Sequence, residues 1–440
     1  MKKVALLMAV LLALVMVLSG CGGNSGSSKQ TEDKTAESTT SEGSENKTTE
    51  SVKITLSAPE ESYPKDLLDQ LAEIYMDKNP GVTIETESFA GVPQIEYYKA
   101  KLATNDLPDV FFMNTLDSAF VDAGAYMELP QDIVDAAPST KYNAYKGKYY
   151  QVMNNQQIAG MFYNKQMFSE RGLSEPKTQD ELTAICDKFV ADGITPIVIG
   201  FKDAWVGDFF LHGFMLTTDV VFKNPDWEIQ RLKGEVKYNS PEVIKVYEKF
   251  IDWRDKGYFG KGFMGLTYQQ CEEMFATGKA AMFPMGNWFI GDLANLESNV
   301  DVGWFPFPTE DGSPGYLKAL GNSFSVNAKT EHPEEVLAFY KWLTTDPEAV
   351  RITCERMSLI PDIKAAVEMN MDPLLQEIIN KVQGMDGYIW TYAQWGDNAP
   401  PPGAYDYCVK ISQDIAAGAD IVSSLQKLDE EYDKLQATRE

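Results

Sequence analysis

Histidine is nearly missing from this chain: His212 and His332 are the two among 440 residues. That scarcity argues against a histidine-rich metal site. It also argues against serine–histidine or cysteine–histidine nucleophilic chemistry, where a histidine base must be oriented by a third group. His332 directly precedes Pro333 at a helix start and reads as structural. Cysteine is sparse too. Beyond Cys21 the chain has Cys186, Cys271, Cys354 and Cys408, far apart and without a C-x-x-C pair, so zinc-type spacing is absent. An even number outside the cell leaves disulfides open, but Cys186 lies in an apolar helical pattern, which favours free thiols packed as small hydrophobes. Positive charge is the third deficit. With 39 Lys and Arg against 65 Asp and Glu, the formal net charge is −26. Such a chain is a poor nucleic-acid binder and is repelled by anionic lipid heads. "ATGKAAM", Ala276 to Met282, lacks the spacing of a phosphate loop, which leaves Lys279 a surface residue.

Long hydrophobic runs are also wanting. Val4 to Leu18 is apolar throughout but shorter than the ~20 residues of a membrane-crossing helix. Preceded by Lys2 and Lys3, it has the layout of a secretory signal peptide. It ends Leu18-Ser19-Gly20-Cys21, which resembles the lipobox of bacterial lipoproteins. The resemblance implies cleavage before Cys21 and lipidation of its thiol, hence a membrane anchor on the extracytoplasmic face. From Gly22 to Ser51 there is no Trp, Phe, Leu, Ile or Val. Such a segment cannot bury enough apolar surface to offset its ordering entropy. It is expected to be a disordered tether, spanning about 30 Å as a flexible coil and about 100 Å when extended.

From Val52 to about Gln436 the chain has core material, with aromatics at 12%, and a length suited to two or three lobes. Val52–Ala58 and Val82–Phe89 alternate as strands do. Between them Leu67, Leu68, Leu71, Ile74 and Tyr75 line one face of a helix over Asp66–Lys78, ended by Asn79-Pro80-Gly81. This is a β-α-β unit, the module of a parallel sheet. Further helices are expected over 94–104, 178–192 (Thr178 and Glu181 forming a capping box), 268–277 and 333–344. Another begins at Ser240 with Pro241 in its first turn, and the tail from Asp372 is mostly helical. Buried strands are expected over 107–114 and 193–200, with others over 278–289 and 321–328 and a strand and turn over 160–168. Strands alternate with helices, so the class is α/β.

Taken in order, several segments are specific together: "LPDVFFMN…AGAYMEL", "MFYNKQMFSERGLSEPKTQDEL", "DGITPIVIG", "MFATGKAAMFPMGNW", "ALGNSFSVNAKTEHPEEVLAFYKWLTTDPEAV" and a late "LIP". This succession resembles the extracellular solute-binding proteins that serve ATP-driven sugar importers, of the maltodextrin-binding type. The resemblance covers nearly the whole chain after the tether. It implies a two-lobe periplasmic-binding-protein-like fold (type II) hinged between lobes. It places a signal peptide at 1–20, the lipidated cysteine and tether at 21–51, lobe one at 52–158 plus 318–357, and lobe two at 159–317 plus 358–440. The implied ligand is a mono- or oligosaccharide in the interlobe cleft. The implied partners are the permease subunits of an ABC importer, and the protein is taken as a monomer needing no cofactor or metal.

A sugar offers C–H patches on its ring faces and a rim of hydroxyls. Its site therefore needs aromatic walls and fixed carboxylates or amides, placed after strands where open α/β sheets bind ligands. Glu60 and Tyr63 follow the first strand; Asn114 and Asp117 follow "LPDVFFM". The resemblance assigns that second loop polar sugar contacts, though Asp117 also reads as a solvated loop residue or helix cap. Trp205 beside Asp203 falls where the family puts an aromatic platform, or it is a core tryptophan. Trp288 of "MGNW" lines up with a family stacking wall and is the strongest single candidate, with Asn287 beside it as a hydroxyl partner or loop former. Gly321 would let the backbone approach a ligand, and Asn322 could present its amide. In "YIWTYAQWGDN" the family's late tryptophan corresponds to Trp390, with Trp395 the alternative, unless the cluster only packs under a loop. The rival functions are a secreted glycoside hydrolase, which needs two carboxylates across a glycosidic bond, and a binder of a non-sugar solute. An amino-acid ligand would call for an arginine clamp, and no arginine falls in these loops.

Overall fold

The computed structural model describes residues 51–439 apart from 115, 297, 322, 323 and 394. Cys21, the signal run, the tether and Asn322 thus lie outside the described residues. The strands are β1 (Val52–Pro59), β2 (Val82–Phe89), β3 (Val110–Phe112), β4 (Asn155–Asn164), β5 (Thr195–Ile197) and β6 (Ala280–Gly286). They continue as β7 (Val302–Phe305), β8 (Tyr316–Gly321), β9 (Phe324–Val326), β10 (Ile360–Pro361) and β11 (Gly387–Ile389).

Two open sheets organise the chain. The first has the order β2-β1-β3-β9, with β1 parallel to β2 and β3 and β9 antiparallel to β3. The expected β-α-β unit is its start: the helix Lys65–Lys78 buries Leu67, Leu68, Leu71, Ala72 and Tyr75. That face packs with Ile54 and Leu56 of β1 and with Phe339 and Tyr340 of the helix Pro333–Thr345. The second sheet has the order β11-β8-β4-β6-β5, with β10 and β7 also paired to β4. Its axis, β4, is antiparallel to β6, β7 and β8. The chain passes between the sheets after Gln151, which bridges to Ser325 of β9, again between Gly321 of β8 and Phe324 of β9, and a third time after the helix Pro347–Met357.

Several sequence expectations are corrected. Of the strand and turn expected over 160–168 the strand is the end of β4 (Asn155–Asn164), but the turn is a helix, Lys165–Glu170, its N-cap Asn164 accepting from Met167 N–H at 3.0 Å. Residues 321–328 are not one strand, because β8 ends at Gly321 in one sheet and β9 begins at Phe324 in the other. The hydroxyl of Thr178 does accept from Glu181 N–H (3.1 Å), but the Glu181 carboxylate turns to Lys177 N–H (2.6 Å), so the capping box is only half formed. Ser240 occupies the N-cap of Pro241–Asp255 without a side-chain bond. An entire element went unread: a π-helix over Phe209–Val221, buried at every position after Phe209. A segment buried on all sides, its polar residues included, shows no one-sided apolar pattern to read. The four cysteines are free and buried, and burial pushes the thiols of Cys271 and Cys354 up to about 12.

Candidate ligand-binding cleft

A cavity of about 200 Å³ opens where the two sheets meet. Sheet one contributes Tyr63, Phe112 and Asn114; β4 and β8 contribute Asn155, Gln157, Leu320 and Gly321; Met357 and Leu359 close it from the third crossing. Tyr63 is buried, its ring 4.8 Å from those of Phe112 and Phe324. Burial keeps its hydroxyl protonated far above the usual tyrosine range. Asn114 is held at the end of β3, where its N–H donates to Gln94 Oε1 at 3.0 Å.

Register explains how the second sheet builds the floor. Asn155 lies opposite Gly321, Gln157 opposite Ala319, and Ala159 opposite both Leu317 and Gly286. Side chains alternate along a strand, so Asn155, Gln157 and Ala159 share one face with Gly321, Ala319 and Gly286. Small residues there make room for large neighbours. A Cβ on Gly321 would lie 1.6 Å from Asn155 Oδ1, and one on Gly286 would lie 1.9 Å from Cζ3 of Trp288. Thus the Trp288 ring covers Gly286 on the face that carries Gln157. Trp288 stands 5.8 Å from Phe209 and 6.2 Å from Trp390, and those two are 5.2 Å apart. Trp390, whose N–H donates to Lys318 O (3.2 Å), packs beside Ala319 and Leu320. Half-buried Trp288 and Trp390 with Phe209 therefore form an aromatic wall, and the Trp288 ring lies on the sheet face that also carries Asn155 and Gln157.

The remaining candidates sit elsewhere. Glu60 Oε2 accepts from Lys65 N–H (3.1 Å) and from the Ser88 hydroxyl. Asp117 caps Ser118–Asp122, accepting from Ala119 and Phe120 N–H at 2.8 and 3.2 Å. Asp203 accepts from Tyr268 N–H at 2.8 Å, and Trp205 leans on the Tyr268 ring at 5.0 Å. Trp395 is buried among Met153, Ala319, Leu320 and Ala393. Asn287 is fully buried and joins Ile158 N–H to the Ser358 carbonyl. Among the described residues, Asp208, His212 and Cys408 come close enough to suggest a cation site. Both imidazole nitrogens are already engaged, Nδ1 with Asp208 (2.6 Å) and Nε2 with the Tyr247 hydroxyl (2.5 Å). The sulfur is nearly equidistant from them, at 3.5 and 3.6 Å, so it lies over the ring rather than in line with a lone pair. The cluster is a hydrogen-bonded core.

Residues 57–350 match the family model of the bacterial extracellular solute-binding proteins. The chain belongs to that family. Among similar proteins, a multiple sugar-binding protein of Streptococcus mutans is 24% identical over 293 residues, 63% of this chain and 68% of that one. A maltotriose-binding protein of Pyrococcus abyssi is 25% identical over 331 residues, 71% and 64% of the two chains. A solved Bacillus licheniformis sugar transporter in complex with stachyose superposes with a TM-score of 0.70 at 19% identity, covering 87% of this chain and all of that one. That likeness shows the two-lobe fold. In this solute-binding protein, sequence reasoning missed Phe112, Asn155, Gln157, Leu320, Met357 and Leu359 of the cavity and Phe209 of the wall. The polar run "NNQQ" at 154–157, which opens the otherwise apolar β4, was the available signal for two of them.

Proposed function

We propose that this solute-binding protein captures a mono- or oligosaccharide between its lobes and delivers it to the permease subunits of an ATP-driven importer, acting as a monomer without catalysis. The observation that carries the reading is an amide-lined cavity with the Trp288–Phe209–Trp390 wall on the same sheet. Amides bond sugar hydroxyls as donor and acceptor, and aromatic faces cover ring C–H patches. The sugar-binding names of the relatives point the same way. A hydrolase would aim two carboxylates across one bond, whereas Asp117 and Asp203 are turned to backbone N–H groups.

A thermal-shift screen over sugars identifies the ligand, since binding to the native state alone raises its stability. Trp288→Ala should then weaken that sugar by ~1–3 kcal/mol, the worth of burying a large side chain, with the melting profile retained. Unchanged affinity by calorimetry removes Trp288 from the site. We further assign Cys21 as the lipidated anchor at the extracytoplasmic face of the cell membrane. Cys21→Ser should shed into the medium a protein that still binds the sugar; a shed protein without binding contradicts a purely mooring role.

A further inference from the structure

The polar side chains around the cavity carry no formal charge. Asn114, Asn155 and Gln157 offer amides, and Tyr63 a hydroxyl kept protonated by its burial. The carboxylates that the sequence places nearest are engaged with backbone. Glu60 takes Lys65 N–H, Asp117 takes two N–H groups of its own helix, and Asp203 takes Tyr268 N–H. No Lys or Arg lines the cavity among the described residues. An ionised group buried here would lose its hydration and meet no counter-charge, which is strongly unfavourable. Amides make no such demand, since each bonds a neutral hydroxyl in either sense. The volume of about 200 Å³ falls below the ~300–1,000 Å³ of pockets for drug-sized ligands, so it suits a single sugar ring. Further rings would lie along the Trp288–Trp390 wall.

We infer that the cavity selects one uncharged sugar ring, so that the ligand is a neutral saccharide and uronates, sugar phosphates and amino sugars are rejected. This rests on the sugar-capture reading and adds to it a charge rule for the innermost ring. Sugar phosphates and uronates share the same anionic exclusion; amino sugars test the cationic side.

The test is calorimetry on the full chain with trimers matched for size: maltotriose, raffinose and chitotriose as neutral probes, trigalacturonate as the anion, and fully deacetylated chitotriose at pH 6 as the cation. At least one neutral trimer should bind, and both charged trimers should bind roughly 100-fold more weakly or worse. A charged trimer bound within tenfold of the best neutral one overturns the charge rule and leaves sugar capture standing. No binding by any trimer, nor by any sugar of the thermal-shift screen, at millimolar concentration overturns sugar capture and the rule together.

Discussion

Asn287 carries more structural weight than its place between a strand and a tryptophan suggests. It lies one residue past the end of β6, is fully buried, and prolongs the ladder to β4 by itself. Its N–H donates to Ile158 O (2.9 Å), and its Oδ1 accepts from Ile158 N–H (2.7 Å). Its Nδ2 donates to the carbonyl of Ser358, which sits in the left-handed region (φ 52°) at the end of Pro347–Met357. One amide thus ties β4, the root of the Trp288 loop and the third crossing between the sheets. Asn287→Ala leaves a buried N–H and a buried C=O without these partners, at roughly 1–3 kcal/mol each, so a loss of about 2–6 kcal/mol is expected. Urea unfolding should show it as a lower midpoint at similar slope. Asn287→Asp sharpens the test. It keeps the acceptor for Ile158 but sets a carboxylate against the Ser358 carbonyl, which favours the protonated acid. The folded-state pKa of that Asp is then raised above its unfolded value, so its folded form gains protons first as pH falls. The variant should be markedly destabilised at pH 7 and recover part of the loss at pH 5. Sugar affinity should fall with stability in both variants, since Trp288 is the next residue. An Asn287→Ala protein within ~0.5 kcal/mol of wild type would refute the accounting for buried bonds. An Asn287→Asp protein with no recovery at low pH would refute the assigned contact with Ser358.

Gly321→Ala would bring a Cβ to 1.6 Å from Asn155 Oδ1. The Asn155 amide must therefore shift, at about 1–3 kcal/mol for overpacking. A lower melting temperature together with weaker sugar binding is expected, and full affinity in calorimetry would mean that the Asn155 amide is not a ligand contact. Burial pushes the Glu228 carboxyl up from 4.5 to about 7, opposed by the Tyr392 N–H (3.2 Å) and by the charges of His212 and Arg231. The folded state then holds a proton that the unfolded chain releases, so Glu228 makes stability fall by roughly 3 kcal/mol between pH 4.5 and 7. Glu228→Gln should flatten that part of a melting-temperature profile and be more stable than wild type at pH 8. The Glu272 carboxyl, raised by burial and by the neighbouring Asp292, has the same sign and leaves a residual slope in the variant. A Glu228→Gln profile that parallels wild type from pH 4.5 to 7 would show that the carboxyl ionises in the folded state as it does in the unfolded chain.

Legibility in the sequence tracked how locally each feature is determined. The β1-helix-β2 start was readable almost to the residue, because a period of two, a period of 3.6 and a Pro-Gly stop each act within a few positions. The π-helix over Phe209–Val221 was not, because burial on every side erases the contrast that periodicity needs. The segment after Gly321 reads as continuous strand because β8 and β9 flank the joint closely, and the sheet with which each pairs is not written locally.

The cleft divides along the same line. Trp288 and Trp390 were picked out by the family resemblance, and the structure brings them within 6.2 Å of each other, whereas Trp205 and Trp395, aromatics in similar loops, pack against Tyr268 and in a small core cluster. Tyr63, Asn114 and Gly321 were legible as residues at strand ends, and the cavity gathers all three. The carboxylates were harder. A short acid after a strand can cap the next helix or face a ligand, and both demands select the same residue at the same place. Asp117 illustrates this: the feature that made it a candidate, an acid just ahead of Ser118–Asp122, is the feature that engages it with Ala119 and Phe120. Asn155 and Gln157 are the converse. They sit inside a strand, where no loop logic points to them, and only the register that sets them over Gly321 and Ala319 turns two ordinary amides into a polar floor. The charge of the cavity is therefore a property of pairing, since the acids nearest to it in sequence are engaged by backbone and the amides farther along the chain are carried in by the sheet.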